Sequence, residues 1–266
     1  TTTQTLYMKS ITLISDWKLR DPYVAMFKGK IVSVIPDVQI FDISHAIPLY
    51  EIEQTAFILQ NSYKSFPEGS LHIMLTGTSF SDLDQPILAH VGNHFFLGND
   101  NGIFSSLFGA QKDIQGFQYQ RKEGDNEFPF LDKLIQMMKW FFDGEIALHT
   151  KPYSSFRRLL TKQISYNEKE KILMGHIAYI DTCCNAVTNI PTSLFIEKNI
   201  TGKFSTKISS SPYLNITKWY NFYNHKEQDP YLVSSRLGHI EITMYQSHIA
   251  ILGDIKVGDQ VEIRFH

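Results

Sequence analysis

Several residues that could bind a ligand stand where predicted secondary-structure elements begin or end. Asp16 directly follows the apolar run 11–15, and ligands of α/β proteins bind outside the carboxyl ends of parallel strands. A carboxylate there can accept two hydrogen bonds from a vicinal diol, as acidic residues do toward ribose. The alternative is that Asp16 only caps a turn. Asp21 has a structural explanation too, because a carboxylate before Pro22 is a typical helix N-cap.

Polar residues at two places farther along the chain could also contact a ligand. Asn101 lies in the turn 97–102, in which Asn and Gly tolerate positive φ, and a simple turn explains it equally well. Ser235 and Arg236 lie near a predicted strand start, where a hydroxyl and a guanidinium could hold a carboxylate.

Asp181, Asn185 and Asn189 interrupt an otherwise apolar strand that we predict at 179–191. Polar groups in such surroundings need partners, which come either from the backbone or from a ligand. The amide of Asn185 offers both a donor and an acceptor, so it could read the edge of an adenine.

The elements that must position these residues follow an α/β pattern in the first part of the chain. Strands are predicted at 11–15, 39–43 and 71–75, with helices at about 22–34 and 52–63 between them. This alternation implies a parallel sheet with right-handed crossovers. The segment 87–97 contains Gly92-Asn93 between two apolar runs, which predicts a hairpin and makes the sheet mixed.

The second part of the chain reads as short strands. They are predicted at 172–180, 194–197, 219–223, 240–245 and 260–265. Regular spacing with Gly and Asn turns is typical of a small all-β barrel or sandwich. Because the segment 161–171 is polar, we expect an α/β domain at 9–165, with a mainly parallel mixed sheet, and a smaller C-terminal β-barrel domain at 170–266.

The composition narrows the class of protein. Hydrophobic residues make up 43% of the chain, and the 25 basic and 27 acidic side chains are interspersed, so no basic footprint for nucleic acid is present. The adjacent Cys183 and Cys184 fit neither a disulfide framework nor a zinc site. The N-terminal residues lack a basic region followed by an apolar stretch, and the longest apolar runs fall well short of the roughly 18 residues of a membrane span. We therefore expect a soluble cytoplasmic protein with no metal, no nucleic-acid partner and no membrane contact.

Taken in order and at these spacings, the motifs resemble the S-adenosylmethionine hydroxide adenosyltransferases and their fluorinase and chlorinase relatives over about residues 9–265. The resemblance rests on pieces from both halves of the chain. They are Ser15-Asp16, Asp21-Pro22-Tyr23-Val24, Lys28-Gly29, Asp42-Ile43-Ser44-His45, Ile47-Pro48, Asp100-Asn101-Gly102, Tyr179-Ile180-Asp181, Asn185, Thr188-Asn189-Ile190-Pro191 and Lys256-Val257-Gly258-Asp259.

The resemblance implies a trimer in which S-adenosylmethionine lies between one subunit's first domain and its neighbour's second. It implies that Asp16 holds the ribose diol and that Tyr50 packs beside the sugar or base. It further implies that Asn185 contacts adenine, while Asp181 and the pair Ser235-Arg236 face the methionine amino and carboxylate groups. Leu237 is an extra residue at that last place. No cofactor is implied, because S-adenosylmethionine is itself the substrate or ligand.

The chain departs from the family pattern where the reaction takes place. Hydroxide-type members carry Asp-Pro-Gly-Val-Gly followed by Arg, and later Phe-His-Gly-Arg-Asp. At those two places this chain has Gly77-Thr78-Ser79-Phe80-Ser81, with Asp84-Gln85 near the Arg position, and Phe128-Pro129-Phe130-Leu131-Asp132. Phe130 also occupies the place of the fluorinase serine.

The hydroxyls of Thr76, Thr78 and Ser79 are the candidate catalytic groups that remain, and Ser81 is a further hydroxyl in this segment. Asp84 is the one candidate base in the altered motifs, while His72, His90 and His94 are alternatives on predicted strands, where histidines are more often structural. Three functions follow: cleavage of S-adenosylmethionine to adenosine and methionine by attack at ribose C5′, an inactive nucleoside-binding or interaction protein, and a halide-using adenosyltransferase.

Overall fold

The computed structural model describes residues 9–78, 85–109, 114–120, 130–160, 162–224 and 226–266. The chain divides into two compact units, Thr1–Leu159 and Leu160–His266. Within the described ranges, no helix is both long enough and apolar enough to cross a membrane.

The first unit is an α/β domain built on a seven-stranded sheet. In chain order its elements are β1 (Lys9–Ser15), α1 (Tyr23–Val34), β2 (Val38–Ser44), α2 (Ile52–Gln60), a 3₁₀ turn (Tyr63–Ser65), β3 (Leu71–Leu75), β4 (Ile87–Val91), β5 (His94–Gly98), α3 (Ile103–Phe108), β6 (Gln115–Tyr119), α4 (Phe130–Asp143), α5 (Ile146–His149) and β7 (Thr150–Tyr153). The strand order is β2-β1-β3-β5-β4-β6-β7.

The sheet is mixed, as the sequence predicts. Strands β2, β1, β3 and β5 pair in parallel, whereas β5–β4, β4–β6 and β6–β7 are antiparallel pairs. The hairpin between β4 and β5 turns at Gly92, whose φ is +59°. After β2 the chain crosses back over β1 to form β3, so the order of the strands reverses beside β1. In open α/β sheets, ligands bind at such a reversal, outside the carboxyl ends of the strands.

Both faces of this sheet are covered, which explains why β1 is an almost continuous apolar run. On one face, Ile11 and Leu13 pack in a cluster with Phe27 of α1 and with α4. On the other face, Ile14 packs in a second cluster with Leu59 of α2 and with α3. Alternate side chains of one strand thus reach two cores, which holds the end of β1 firmly.

The second unit is a strand-rich domain whose nine-stranded sheet curls into a half-barrel. Its elements are β8 (Ser165–Asn167), β9 (Ile172–Ile180), β10 (Ala186–Pro191), α6 (Thr192–Lys198), β11 (Phe204–Ile208), β12 (Ser211–Ile216), β13 (Trp219–Tyr220), β14 (Tyr231–Ser234), β15 (His239–Thr243), α7 (Ile249–Leu252) and β16 (Gln260–Phe265). The order is β12-β11-β16-β9-β10-β15-β14-β13, with β8 beside β9. One hydrophobic cluster fills the inside of the curl.

Three local predictions were wrong. The predicted strand 194–197 is part of helix α6, which is short and is held by the one fully buried side chain of Phe195. The segment 179–191 is two strands joined by a tight turn, because Cys184, at φ +60°, donates its amide to the Asp181 carbonyl. Asp21 is exposed and does not cap α1, whose N-cap residue is Pro22 without a side-chain cap.

Candidate functional site

The carboxyl ends of three neighbouring parallel strands converge at one edge of the first unit. Ser15 pairs with Leu75 and Met74 pairs with Gly98, so β1, β3 and β5 end side by side. The residues that follow these ends are Asp16, Thr76 and Asn99. This alignment brings Asp16 to Gly77, from which it is separated by 61 positions in the chain.

Asp16 is the centre of this edge. Its side chain is buried, and Oδ2 accepts hydrogen bonds from the backbone amides of Tyr50 (3.0 Å) and Gly77 (3.1 Å). Of the residues that the structure describes, none donates to the other oxygen, Oδ1. Hydrogen bonds to an ionised acceptor are stronger than neutral ones, and they fix its orientation. One oxygen is therefore anchored, and the other keeps both lone pairs for a ligand such as a diol.

Asn101 is used to shape the loop after β3. Its Nδ2 donates to the Thr76 carbonyl at 2.8 Å, and its Oδ1 accepts from the Ile103 amide at 3.3 Å. Gly77 follows Thr76 and adopts φ +63°, and a Cβ at Gly77 would lie 3.1 Å from Asn101 Nδ2. The amide clamp and the left-handed glycine together aim the Gly77 amide at Asp16.

A chain of polar contacts holds the loop after β2 against the end of β1. The fully buried Ser15 hydroxyl lies 2.6 Å from His45 Nδ1, and the other His45 nitrogen lies 3.0 Å from Asp42 Oδ1, without good hydrogen-bond geometry. Lys28 contacts the second Asp42 oxygen at 2.6 Å. Partial burial acts to raise the pKa of Asp42, but the contacts with Lys28 and His45 together lower it.

The two loops that carry Asp16 and Tyr50 are also tied to each other. The Lys18 amide donates to the His45 carbonyl at 2.9 Å, and Lys18 Nζ donates to the carbonyls of Ala46 and Ile47. Tyr50 has φ +64° and is 71% exposed. Its backbone amide therefore serves Asp16, while its ring is free to cover a ligand beside that carboxylate.

Two of the candidate hydroxyls, those of Thr76 and Thr78, make hydrogen bonds within the protein. Thr76 is buried and accepts a hydrogen bond from the Thr55 hydroxyl at 2.9 Å. Thr78 donates to the Leu75 carbonyl at 3.2 Å. Ser79, Ser81 and Asp84 lie outside the described residues.

The strand histidines do not supply a base either. His72 is fully buried between Thr12 and His94. Its Nδ1 lies 2.8 Å from the Thr12 hydroxyl, and its Nε2 lies 3.1 Å from His94 Nδ1. Burial, with the neighbouring His94, lowers the pKa of His72 to about 3. His90 stacks on Phe95 with 4.4 Å between ring centroids. We therefore regard these three histidines as structural residues.

The second unit contains an open cleft of about 840 Å³. Three of the residues predicted from sequence line it: Asp181, Asn185 and Arg236. Asp181 accepts from the Asn185 amide at 2.8 Å and from Asn185 Nδ2 at 3.1 Å, and Thr243 donates to Asn185 Oδ1 at 2.7 Å. Asn185 is held in a single orientation by these bonds, and one N–H of its side chain stays available.

Ser235 and Arg236, the pair predicted to hold a carboxylate, differ in burial and in their contacts. Ser235 is buried, and its hydroxyl oxygen accepts from the amides of Leu237 (3.3 Å) and His239 (3.2 Å), which leaves its own proton to donate. Arg236 is exposed in the cleft wall. The turn built on Ser235 thus presents the guanidinium of Arg236.

Sequence reasoning missed one residue of this cleft and the buried carboxylate that this residue contacts. Tyr223 lines the cleft and donates to the carboxylate of Glu241, whose two oxygens each lie 3.0 Å from the phenol oxygen. Burial, opposed by the Tyr223 hydrogen bond and increased by Asp181, raises the pKa of Glu241 to about 7. The available signal was an acidic residue flanked by two isoleucines inside a predicted strand.

Two family models match this chain, one on each unit. The model described as SAM hydroxide adenosyltransferase N-terminal domain matches residues 11–147, and the one described as SAM hydroxide adenosyltransferase C-terminal domain matches residues 175–262. Together they cover both the Asp16 edge and the cleft.

Individual relatives are distant in sequence. The chain is 23% identical over 264 residues to "(R)-S-adenosyl-L-methionine hydrolase" of Methanocaldococcus jannaschii, a match that covers 95% of each protein. A protein of the same name from Thermus thermophilus is 28% identical over 98 residues, which is 37% of this chain and 38% of that protein. "Fluorinase" of Nocardia brasiliensis is 28% identical over 114 residues, 43% of this chain and 35% of the fluorinase. The matches thus span well under half the length of the last two relatives.

Solved structures share the fold. An uncharacterized conserved protein from Thermotoga maritima gives a TM-score of 0.82 at 18% identity, covering 95% of this chain and 99% of that one. A conserved hypothetical protein from Thermus thermophilus gives a TM-score of 0.72 at 19% identity, covering 96% of this chain and 100% of that one.

Proposed function

This chain belongs to the S-adenosylmethionine hydroxide adenosyltransferase family, and on that premise we propose that it binds S-adenosylmethionine and cleaves it to adenosine and methionine. The observation that carries the proposal is the state of Asp16. Its Oδ2 is pinned by two backbone amides, while no described residue donates to Oδ1. A vicinal diol supplies the two donors that this oxygen can accept.

The remaining contacts of the ligand follow the same reasoning. The exposed Tyr50 covers the sugar, and the free N–H of Asn185, from the second domain of a neighbouring subunit, contacts the adenine. Asp181 faces the amino group of the methionine part. The guanidinium of Arg236, with the proton of Ser235, holds its carboxylate, because a planar fork of donors suits that group. Asn101 acts indirectly, since it shapes the loop that carries Gly77. Asp21, which is exposed at the start of α1, has no assigned contact with the ligand.

The reaction we propose is a displacement at C5′ of the ribose. A bond forms between C5′ and the oxygen of water, the bond between C5′ and sulfur breaks, and its electron pair leaves with sulfur as neutral methionine. The oxygen loses one proton to solvent. The sulfonium is already a good leaving group, so the protein's task is to align the nucleophile opposite sulfur and to exclude bulk water. Because Thr76 and Thr78 are committed to other partners, no described hydroxyl at this edge acts as a base, and we expect slow turnover.

A second candidate function is binding without cleavage. It is favoured by Gly77, which stands where hydroxide-type members of the family carry the aspartate of their first motif. A glycine cannot orient or deprotonate water. Under this second function, Asp16 and the cleft of the second unit still bind the ligand, but no cleavage follows.

One experiment separates these functions. The pure protein is incubated with S-adenosylmethionine, with and without chloride, while products are separated by chromatography and binding is followed by calorimetry. We expect adenosine and methionine in equal amounts, binding that Asp16→Asn weakens at least about a hundredfold, and no effect of Asp37→Asn, an exposed carboxylate. Binding without products supports the second function, and 5′-chloroadenosine identifies a halide-using enzyme. Absence of binding refutes both of our candidates.

We also propose that the protein is a homotrimer, which the family resemblance supports. Light scattering after size-exclusion chromatography tests this assembly, and a mass of one or two chains would contradict it.

A further inference from the structure

Glu241 is a buried carboxylate behind Tyr223, a residue that lines the cleft in the second unit. Strand alternation sends Ile240 and Ile242 into the hydrophobic cluster, and it turns Glu241 and Thr243 to the opposite face. Thr243 lines the cleft, whereas Glu241 is 2% exposed and contacts Tyr223 of the cleft wall. Glu241 thus acts on the cleft through its neighbour.

The carboxylate of Glu241 has few stabilising contacts. Both of its oxygens lie 3.0 Å from the hydroxyl of Tyr223, which has only one proton to donate. Within the described ranges no other hydrogen bond and no ion pair reaches this carboxylate. An ionised carboxylate in such a place is costly unless a positive charge comes near.

The surroundings of Glu241 carry charges of both signs. Asp181 of the turn between β9 and β10 repels the ionised form, and burial disfavours it more strongly. Tyr223 lies in the loop between β13 and β14. Burial and Glu241 raise the pKa of Tyr223, while Arg236 acts to lower the pKa of Tyr223. His239 stands on the same strand, where burial lowers its pKa. Tyr245 and His248 line the cleft on its remaining side.

We propose that Glu241 is a positioning residue that makes this cleft favour a ligand with a positive charge at the sulfur position: such a ligand makes Glu241 give up its proton, whereas a neutral sulfur there leaves the proton of Glu241 unaffected. The proton leaves to solvent, and the Tyr223 hydroxyl then donates to the carboxylate. In the protonated form the carboxyl group donates instead, and the phenol proton turns away. This inference rests on the proposed binding of S-adenosylmethionine, and it names the feature that separates substrate from neutral adenosine.

The charges of substrate and products explain why such a device is useful. S-adenosylmethionine carries a sulfonium, an ammonium and a carboxylate, so its net charge is positive. Adenosine is neutral and methionine is a zwitterion. An ionised Glu241 stabilises the bound substrate. Once the sulfonium is gone, no positive charge stabilises the ionised form of Glu241, and it takes up a proton again. Product release is therefore coupled to the return of a proton.

The test compares two ligands that differ by one charge. Sinefungin has an ammonium where S-adenosylmethionine has its sulfonium and is not cleaved, whereas S-adenosylhomocysteine has a neutral sulfur there. Calorimetry at pH 6, 7 and 8, in buffers of different ionisation enthalpy, gives affinity and the number of protons released. From the raised pKa of about 7 for Glu241, we expect sinefungin affinity to rise about tenfold from pH 6 to 8, and S-adenosylhomocysteine affinity to stay constant.

The variants make the assignment specific. Glu241→Gln keeps the shape and abolishes both the proton release and the pH dependence, whereas Glu241→Asp restores them in part. Glu262→Gln, a partly exposed carboxylate of β16, is the matched control and leaves both unchanged. If Glu241→Gln retains the wild-type pH profile for sinefungin, the inference is wrong while the proposed function stands. If the wild-type protein binds neither S-adenosylmethionine nor sinefungin nor S-adenosylhomocysteine, the proposed function fails and the inference fails with it.

Discussion

His72 makes the folded protein sensitive to acid. Its ring is fully buried among Tyr63, Phe66 and Phe96, and its two nitrogens contact Thr12 and His94. Burial, with the charge of His94 as a smaller cause, lowers its pKa from 6.5 to about 3. The unfolded chain therefore binds a proton at this residue over a pH range in which the folded protein does not.

The sign and size of the effect follow from that difference. Stability is fully present above the unfolded pKa of 6.5 and is lost as the pH falls toward about 3. The loss amounts to about 1.4 kcal/mol per pH unit within that window. Between pH 6.5 and 4.5 this one histidine removes roughly 2 to 3 kcal/mol, a large part of the roughly 5 to 15 kcal/mol that stabilises a typical protein.

The assay is urea unfolding of the wild type and of His72→Phe at pH 7.5, 6.5, 5.5 and 4.5. Phenylalanine keeps an aromatic ring in the cluster but cannot titrate, so we expect a stability curve that is flatter by about 1.4 kcal/mol per pH unit below pH 6. At pH 7.5 the variant loses about 1–3 kcal/mol, because the polar groups of Thr12 and His94 lose a partner. The double variant Thr12→Val, His72→Phe recovers part of that loss.

His90→Gln serves as the control, since His90 lies on the same sheet and is partly exposed. Other titrating groups contribute equally to all variants and cancel in the comparison. If His72→Phe loses stability with acid as steeply as the wild type does, His72 is not the group that titrates and our reasoning about its burial is refuted.

Two further predictions concern stability. Asp16→Ala leaves two buried backbone amides without an acceptor and should lower the free energy of unfolding by about 2–4 kcal/mol, whereas Asp16→Asn keeps an acceptor oxygen and should lose about 1 kcal/mol or less; urea unfolding measures both, and equal losses would contradict the anchoring of Oδ2. Gly102→Ala should cost at least about 2 kcal/mol, because φ is +101° and the new Cβ would lie 2.3 Å from Leu159 Cγ. Gly29→Ala should instead stabilise α1 by about 0.5–1 kcal/mol, because it meets nothing within 4 Å; thermal unfolding of this pair with the same sign would refute the steric argument.

Local pattern was sufficient for most of the fold. The strands at 71–75, 172–180 and 260–265 have the predicted bounds, because apolar runs bounded by turn residues are encoded within a few neighbouring positions. The strand predicted at 194–197 was wrong for a physical reason. The helix found there is short and has one buried side chain, that of Phe195, so its sequence carries no helical periodicity.

Some site residues could likewise be identified from local sequence, whereas others depend on contacts between distant parts of the chain. Asp16 could be singled out because a carboxylate after a buried strand is a local feature. Its anchoring by Gly77 could not, since the two residues are separated by 61 positions and meet only because β3 pairs with β1. Glu241 was missed because its partner Tyr223 comes from a loop, and the sequence does not show where a loop side chain points.

The sequence by itself determined the alternation of strands and helices, the apolar faces and the family resemblance, since all three are carried by residue types and short spacings. Only the tertiary structure decided that one Asp16 oxygen accepts two backbone hydrogen bonds while the other accepts none from a described residue. It also decided that Glu241 is buried with a single donor. Both depend on which strands and loops become neighbours, and a hydrogen bond has a range of only about 3 Å, so its partners are defined only when the whole chain has folded.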